Sequence, residues 1–132
     1  MALQHSPWKL LGVLLGWTLI GAIWSASLLT PPETGLDIPQ QDKWGHLIAY
    51  GGLMGWFAML YRSDRVCVLY FVGFALMGGL LELIQGTLPH RQASLADLAA
   101  NVTGLSLGWW MARLIWSRKL PPPAPGSELP PA

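Results

Sequence analysis

Four long apolar runs, at residues 10–29, 44–61, 66–86 and 95–116, alternate along the chain with short polar connections. At 1.5 Å per residue, about 20 apolar residues in a helix cross the hydrocarbon core of a bilayer, and each run is close to that length. The pattern predicts an all-α protein: one domain, an integral membrane bundle of four transmembrane helices. The second run is the shortest and carries His46. The first competes with a secretory signal peptide, because Lys9 precedes it and Ser25-Ala26-Ser27 imitates a cleavage site. It continues past that site to Leu29, longer than a signal core of about 7–15 residues, so it is read as a retained first helix.

The connections are rich in turn formers. "TPPETGLDIPQQ" follows the first run, and "YRSDR" is a tight turn between the second and third. "GTLPHRQAS" closes the third helix at Gly86 and restarts the fourth at Ser94. After Lys119 the chain reads "LPPPAPGSELPPA", a proline-rich stretch without periodicity. The expected organisation is a cytoplasmic segment at 1–9, the membrane domain at 10–116 and a disordered cytoplasmic tail at 117–132.

Composition strengthens this picture. The chain is 52% hydrophobic and only 11% charged, with a mean hydropathy of +0.40, which is far from a soluble domain of its size. Four spans with both termini on one side give that side Lys9, Arg62, Arg65, Arg113, Arg118 and Lys119, and leave only Lys43 and Arg91 for the other. The positive-inside rule then makes the termini cytoplasmic, in a multi-pass protein of the bacterial inner membrane. Trp8 and Trp116 fall at one interface and Trp44 at the other. The formal net charge of +1 gives no reason to expect a nucleic-acid partner. Cys67 is the single cysteine, so an intramolecular disulfide is excluded.

The remaining polar residues gather at one depth. Asp42, His46 and Tyr50 recur every four residues at the outer end of the second helix, and Glu82 and Gln85 lie three apart at the outer end of the third. The fourth enters from that side with Asp97 and Asn101, whose stripe continues as Gly104 and Gly108. Bland roles exist for many of them. Asp42 fits a helix N-cap, Ser94 to Asp97 fits a capping box, Lys43 and Tyr50 fit interface anchors, and Asn101 fits an interhelical hydrogen bond. Glu82 is different: a carboxylate near a helix C-terminus in an apolar run faces both the macrodipole and desolvation. Arg91 stands on the side where positive charge is disfavoured, within reach of the acids. Gly12 and Gly16, Gly51 and Gly55, and Gly104 and Gly108 form GxxxG pairs, with Ala75 and Gly79 as the nearest equivalent on the third helix.

The ordered set Asp42-Lys43-x-x-His46-x-x-x-Tyr50, Glu82-x-x-Gln85 and Arg91-x-x-Ser94-x-x-Asp97-x-x-x-Asn101-x-x-Gly104-x-x-x-Gly108 resembles the signature of the VanZ-like family of small bacterial membrane proteins. The resemblance runs from Asp42 to Gly108. It implies a multi-helix cell-envelope protein, in a family named for teicoplanin resistance, and so an expectation of lowered susceptibility to glycopeptides of that kind.

The chemistry of the residues supplies the rest of the expectation. Glu82 and His46 are the candidate acid–base pair. Asp42, Lys43, Tyr50, Gln85, Arg91, Asp97 and Asn101 are candidate substrate-binding groups, with Lys43 and Arg91 suited to an anionic lipid-linked cell-wall precursor. One alternative is a membrane-surface hydrolase or transferase on such a substrate; another is a non-catalytic interaction protein whose ionic cluster pins three helices together. Asp42, His46, Glu82 and Asp97 are metal-ligand types, yet no metal or other cofactor is expected, since the cluster has one histidine, no paired ligand motif and two cations. The lipid bilayer is the one partner the sequence itself specifies, and it assigns no oligomeric state.

Overall fold

The computed structural model describes residues 7–29, 41–89 and 92–119, which form four helices and, among the described residues, no strand. They are α1 (Pro7–Leu28), α2 (Gln41–Leu60), α3 (Asp64–Gln85) and α4 (Leu95–Lys119). Arg91, the first loop and the tail beyond Lys119 lie outside the described residues.

The helix starts and stops shift some expected limits. Helix α1 begins at Pro7, inside the expected terminal segment, with proline at a first-turn position where its missing N–H costs nothing. Helix α4 runs to Lys119 and so takes the first residues assigned to the tail. Asp42 sits within the first turn of α2, not before it, and is exposed. Gly86 does end α3, but with φ −62°, so the usual left-handed glycine cap is not used. Its small size is used instead: a Cβ there would lie 2.9 Å from the Cβ of Ala93 in the returning chain.

Helix direction alternates, so α2 and α4 run parallel. Among the described helices their interface is the most extensive, and it is a backbone contact. A Cβ on Gly104 would strike the Leu47 carbonyl and come within 3.0 Å of the Gly51 nitrogen, while one on Gly51 would lie 3.2 Å from the Gly104 oxygen. One turn on, a Cβ on Gly108 would strike the Gly51 carbonyl, and one on Gly55 would lie 3.5 Å from the Gly108 oxygen. The two GxxxG pairs thus interlock directly. The pair on α1 works otherwise: a Cβ on Gly16 would lie 2.6 Å from the Phe57 ring, and one on Gly12 would lie 2.6 Å from the end of Leu60. Trp56 adds an Nε1–H bond of 2.9 Å to the Gly12 carbonyl. On α3 the close-packed glycine is Gly78, which is buried, whereas a Cβ on Gly79 would meet only Leu98, at 4.0 Å; the expected Ala75 and Gly79 seam is corrected accordingly.

The core lies toward the end of the bundle that holds the 61–64 turn. Phe57 packs against Tyr70 with the rings tilted and 4.4 Å between centroids, and meets Phe74 edge-on at 5.3 Å. Leu53, Met54 and Leu105 fill the space between these rings and the glycine seam. Two of the helices, α1 and α3, are long and apolar enough by length and composition to cross a membrane.

Replacing Gly104 by leucine is expected to force α2 and α4 apart, because the obstacle is backbone and cannot rotate away. Overpacking of this kind costs about 1–3 kcal/mol or more. Thermal unfolding in detergent should show a clear loss for Gly104→Leu and little change for Gly73→Leu, whose Cβ meets nothing within 4 Å.

Candidate functional site

At the other end of the bundle three helices bring polar side chains into one buried cluster. His46, half-buried on α2, places Nδ1 3.0 Å from the Asn101 Oδ1 on α4. A carbonyl oxygen only accepts, so Nδ1 donates in this contact, and in the neutral ring the lone pair is then on Nε2. Nε2 faces Glu82 Oε1 on α3 at 3.7 Å. The Glu82 side chain is only 7% exposed, so this carboxylate is held away from water.

The second carboxylate oxygen of Glu82 has a firm partner. Oε2 accepts the backbone N–H of Ser94 at 3.1 Å. Ser94 caps α4, its hydroxyl accepting the Asp97 N–H at 3.3 Å, as the capping-box spacing predicts. In a reciprocal box Asp97 would reach back to the Ser94 N–H. Here Glu82 takes that donor from across the bundle, and Asp97 turns toward the cluster instead. One ligand-type atom from each of His46, Glu82 and Asp97 lies within 4.8 Å of the other two.

Three buried polar atoms in this cluster make no hydrogen bond: Tyr50 Oη, Glu82 Oε1 and Asn101 Nδ2. Tyr50 and Asn101 are each 1% exposed. Tyr50 is therefore not an interface anchor at headgroup depth. Its hydroxyl and the Asn101 amide both close on Gly78, where a Cβ would sit 3.2 Å and 2.8 Å from them. Gly78 is a member of the cluster that sequence reasoning missed, although its position one turn before Glu82 was a usable signal.

The other expected residues separate into groups. Gln85 is buried and spends its amide on the Ser27 carbonyl at 2.7 Å, satisfying an orphan acceptor in the last turn of α1. Nothing in the sequence marked Ser27 as that partner. Asp42, His46, Tyr50 and Gln85 share the wall of a cavity of about 470 Å³ between α1, α2 and α3, whose other walls are apolar side chains such as Leu19 and Ile23. Asp42 stands at its rim. Lys43 is half-buried in the first turn of α2, and Arg91 lies outside the described residues.

The opposite end has a different character. Arg113 pairs with Asp64, Arg62 lies 3.6 Å from the Trp116 ring, and Lys9 lies 5.0 Å from the Tyr61 ring. Cations there rest on aromatic faces. No family model, no curated protein and no solved structure matches the chain.

The hydrogen bond to Asn101 sets an observable. Nitrogen-15 NMR of the labelled imidazole is expected to show His46 protonated at Nδ1. Asn101→Leu should abolish that preference, and Gly78→Ala should weaken it by pressing on the same amide.

Proposed function

We propose that the chain is a four-span inner-membrane protein of the VanZ-like type, both termini cytoplasmic, whose outer end binds a ligand of the cell envelope. The observation that carries this reading is the convergence of Tyr50 Oη, Glu82 Oε1 and Asn101 Nδ2, buried and unbonded beside His46. An unmade hydrogen bond on a buried group costs about 1–3 kcal/mol, and more for a charged one. Three such groups beside one imidazole would form a receptor for a polar ligand, and two members of the cluster, His46 and Tyr50, line the cavity that also includes Asp42.

Support for the membrane comes from the distribution of apolar surface. Leu69 is 72% exposed, Leu76 70% and Leu83 69%, along a single face of α3, and α1 buries only Gly12 and Gly16. A surface this apolar, wrapped around a polar interior cluster, is suited to lipid and unsuited to water. Exposed hydroxyls obey the same logic: those of Thr18, Ser25, Thr103 and Ser106 each bond the carbonyl four residues back, so none needs water.

The resemblance to the VanZ-like signature points to cell-wall chemistry, with an anionic lipid-linked precursor as the ligand and reduced teicoplanin susceptibility as the outcome. Glu82 and His46 would exchange a proton if the bound precursor is modified. A second reading is favoured by the Glu82 bond to Ser94, which ties α3 to α4: the cluster pins the bundle and the protein acts by contact alone.

Two experiments test these proposals. In a Cys67→Ala background, a membrane-impermeant maleimide added to intact cells is expected to label Asp42→Cys and to reach Ser63→Cys only after permeabilisation. A sensitive Gram-positive host expressing the wild type at matched membrane levels is expected to tolerate more teicoplanin than one expressing Glu82→Gln. Gln keeps an oxygen for Ser94, so normal abundance with lost protection supports the ligand site. Reduced abundance supports pinning, and equal protection removes Glu82 from both roles.

A further inference from the structure

We infer that His46, Glu82 and Asp97 form a binding site for a divalent transition-metal ion, with Zn²⁺ the chemistry that fits best. This rests on the reading of the same cluster as a ligand pocket and names the ligand class. Besides the single histidine and the two cations Lys43 and Arg91, the sequence argued against a metal because no paired ligand motif lies on any one helix. The fold removes that objection by taking one ligand from each of α2, α3 and α4, with the three donor atoms within 4.8 Å of one another.

The orientation of the donors carries the argument further. Asn101 fixes the His46 tautomer so that the Nε2 lone pair faces Glu82 Oε1, itself a lone-pair donor, at 3.7 Å. Two electron-rich atoms turned toward each other out of water repel unless a proton or a metal cation lies between them, and at 3.7 Å the gap is longer than a hydrogen bond. Glu82 is 5% exposed, and its Oε1 is without a hydrogen bond. A histidine that ligates a metal through one nitrogen characteristically donates the other N–H to a carbonyl or carboxylate, as His46 does to Asn101. The remaining oxygen of Glu82 is likewise oriented, by the Ser94 amide.

Charge and donor type select the ion. One neutral imidazole and two carboxylates carry two negative charges, which a divalent cation neutralises. Among the described residues neither carboxylate has a lysine or arginine within ion-pair distance. Imidazole nitrogen favours Zn²⁺ over Mg²⁺ and Ca²⁺, which take oxygen ligands. Tetrahedral Zn²⁺ holds donors about 2.0–2.1 Å from the metal and hence about 3.3 Å apart, so closure needs side-chain movements on the order of an ångström. Asp97, half-buried in the first turn of α4, has the freedom to supply them. Three protein ligands leave a fourth position for a water or an anionic group of the envelope ligand, and of the three only His46 lines the cavity.

The test is metal binding by the full chain purified in detergent and stripped with a chelator, then titrated with ZnCl₂ and, separately, MgCl₂. The wild type is expected to take up one Zn²⁺ per chain and no Mg²⁺ at equal concentration. His46→Ala and Asp97→Asn should weaken Zn²⁺ at least tenfold, Asn101→Leu by roughly 10–100-fold through the lost orientation of His46, and Asp64→Asn at the far end not at all. Asp97→Asn keeps the capping interactions made by its backbone, so it serves as the variant whose folding, checked by helical circular dichroism, is least at risk. Failure of the wild type to bind Zn²⁺ stoichiometrically overturns the inference. So does binding that the His46 and Asp97 variants retain, which marks an adventitious ion only. Either result leaves the Glu82→Gln susceptibility test untouched, so a failed metal site and a failed envelope role can be told apart.

Discussion

The arrangement of this molecule depends on one close approach: the backbones of α2 and α4 touch where Gly51 and Gly55 meet Gly104 and Gly108. Backbones approach this closely only where glycine removes the side chains between them. The contact also sets register. Gly104 lies against Leu47, the neighbour of His46, and Asn101 stands one turn before Gly104 on the same stripe. Fixing Gly104 against Leu47 therefore fixes the 3.0 Å bond between His46 and Asn101. The packing seam and the polar cluster are successive turns of one interface.

From that seam the two ends of the bundle diverge. At the end holding the 61–64 turn, arginines and a lysine rest on aromatic rings or pair with an exposed acid, arrangements that tolerate water and headgroups. At the other end the charged and polar groups point inward, and Glu82, Tyr50 and Asn101 are nearly inaccessible. Groups of this kind are costly in an apolar medium whatever their partners. A fold that needed only to pin three helices would do so at lower cost with hydroxyls, which elsewhere in this chain bond their own helices. The retained carboxylate and imidazole are the reason to seek a ligand.

Much of this was legible in the sequence. Four helices follow from run length, and the placing of Asp42, His46, Glu82, Asp97 and Asn101 at one end follows from counting residues along helices of alternating direction. The interlocked glycines of α2 and α4 follow from their four-residue spacing. What could not be read is helix rotation. A helix that is apolar on nearly every face, as α1 is, or that carries few polar positions, as α2 and α3 do, has a weak stripe to say which side turns inward. For that reason Gly78 was missed in favour of Gly79, Tyr50 was equally compatible with an interface position, and the Gln85 bond to Ser27 had no signal at all.

The cap of α4 shows how such a site is assembled from ordinary helix chemistry. Ser94 and Asp97 have capping-box spacing, and in isolation each would satisfy the other. Glu82 intervenes by taking the Ser94 N–H, so one capping bond becomes a tertiary contact between α3 and α4. That exchange has two consequences at once. It gives Glu82 a fixed orientation, with Oε2 engaged and Oε1 turned to His46, and it relieves Asp97 of its local duty so that its carboxylate joins the same cluster. A substitution at Ser94 that preserved the helix start but removed its amide from this position would loosen Glu82 and Asp97 together. The geometry of the cluster is thus carried by backbone groups at a helix end as much as by the side chains that compose it.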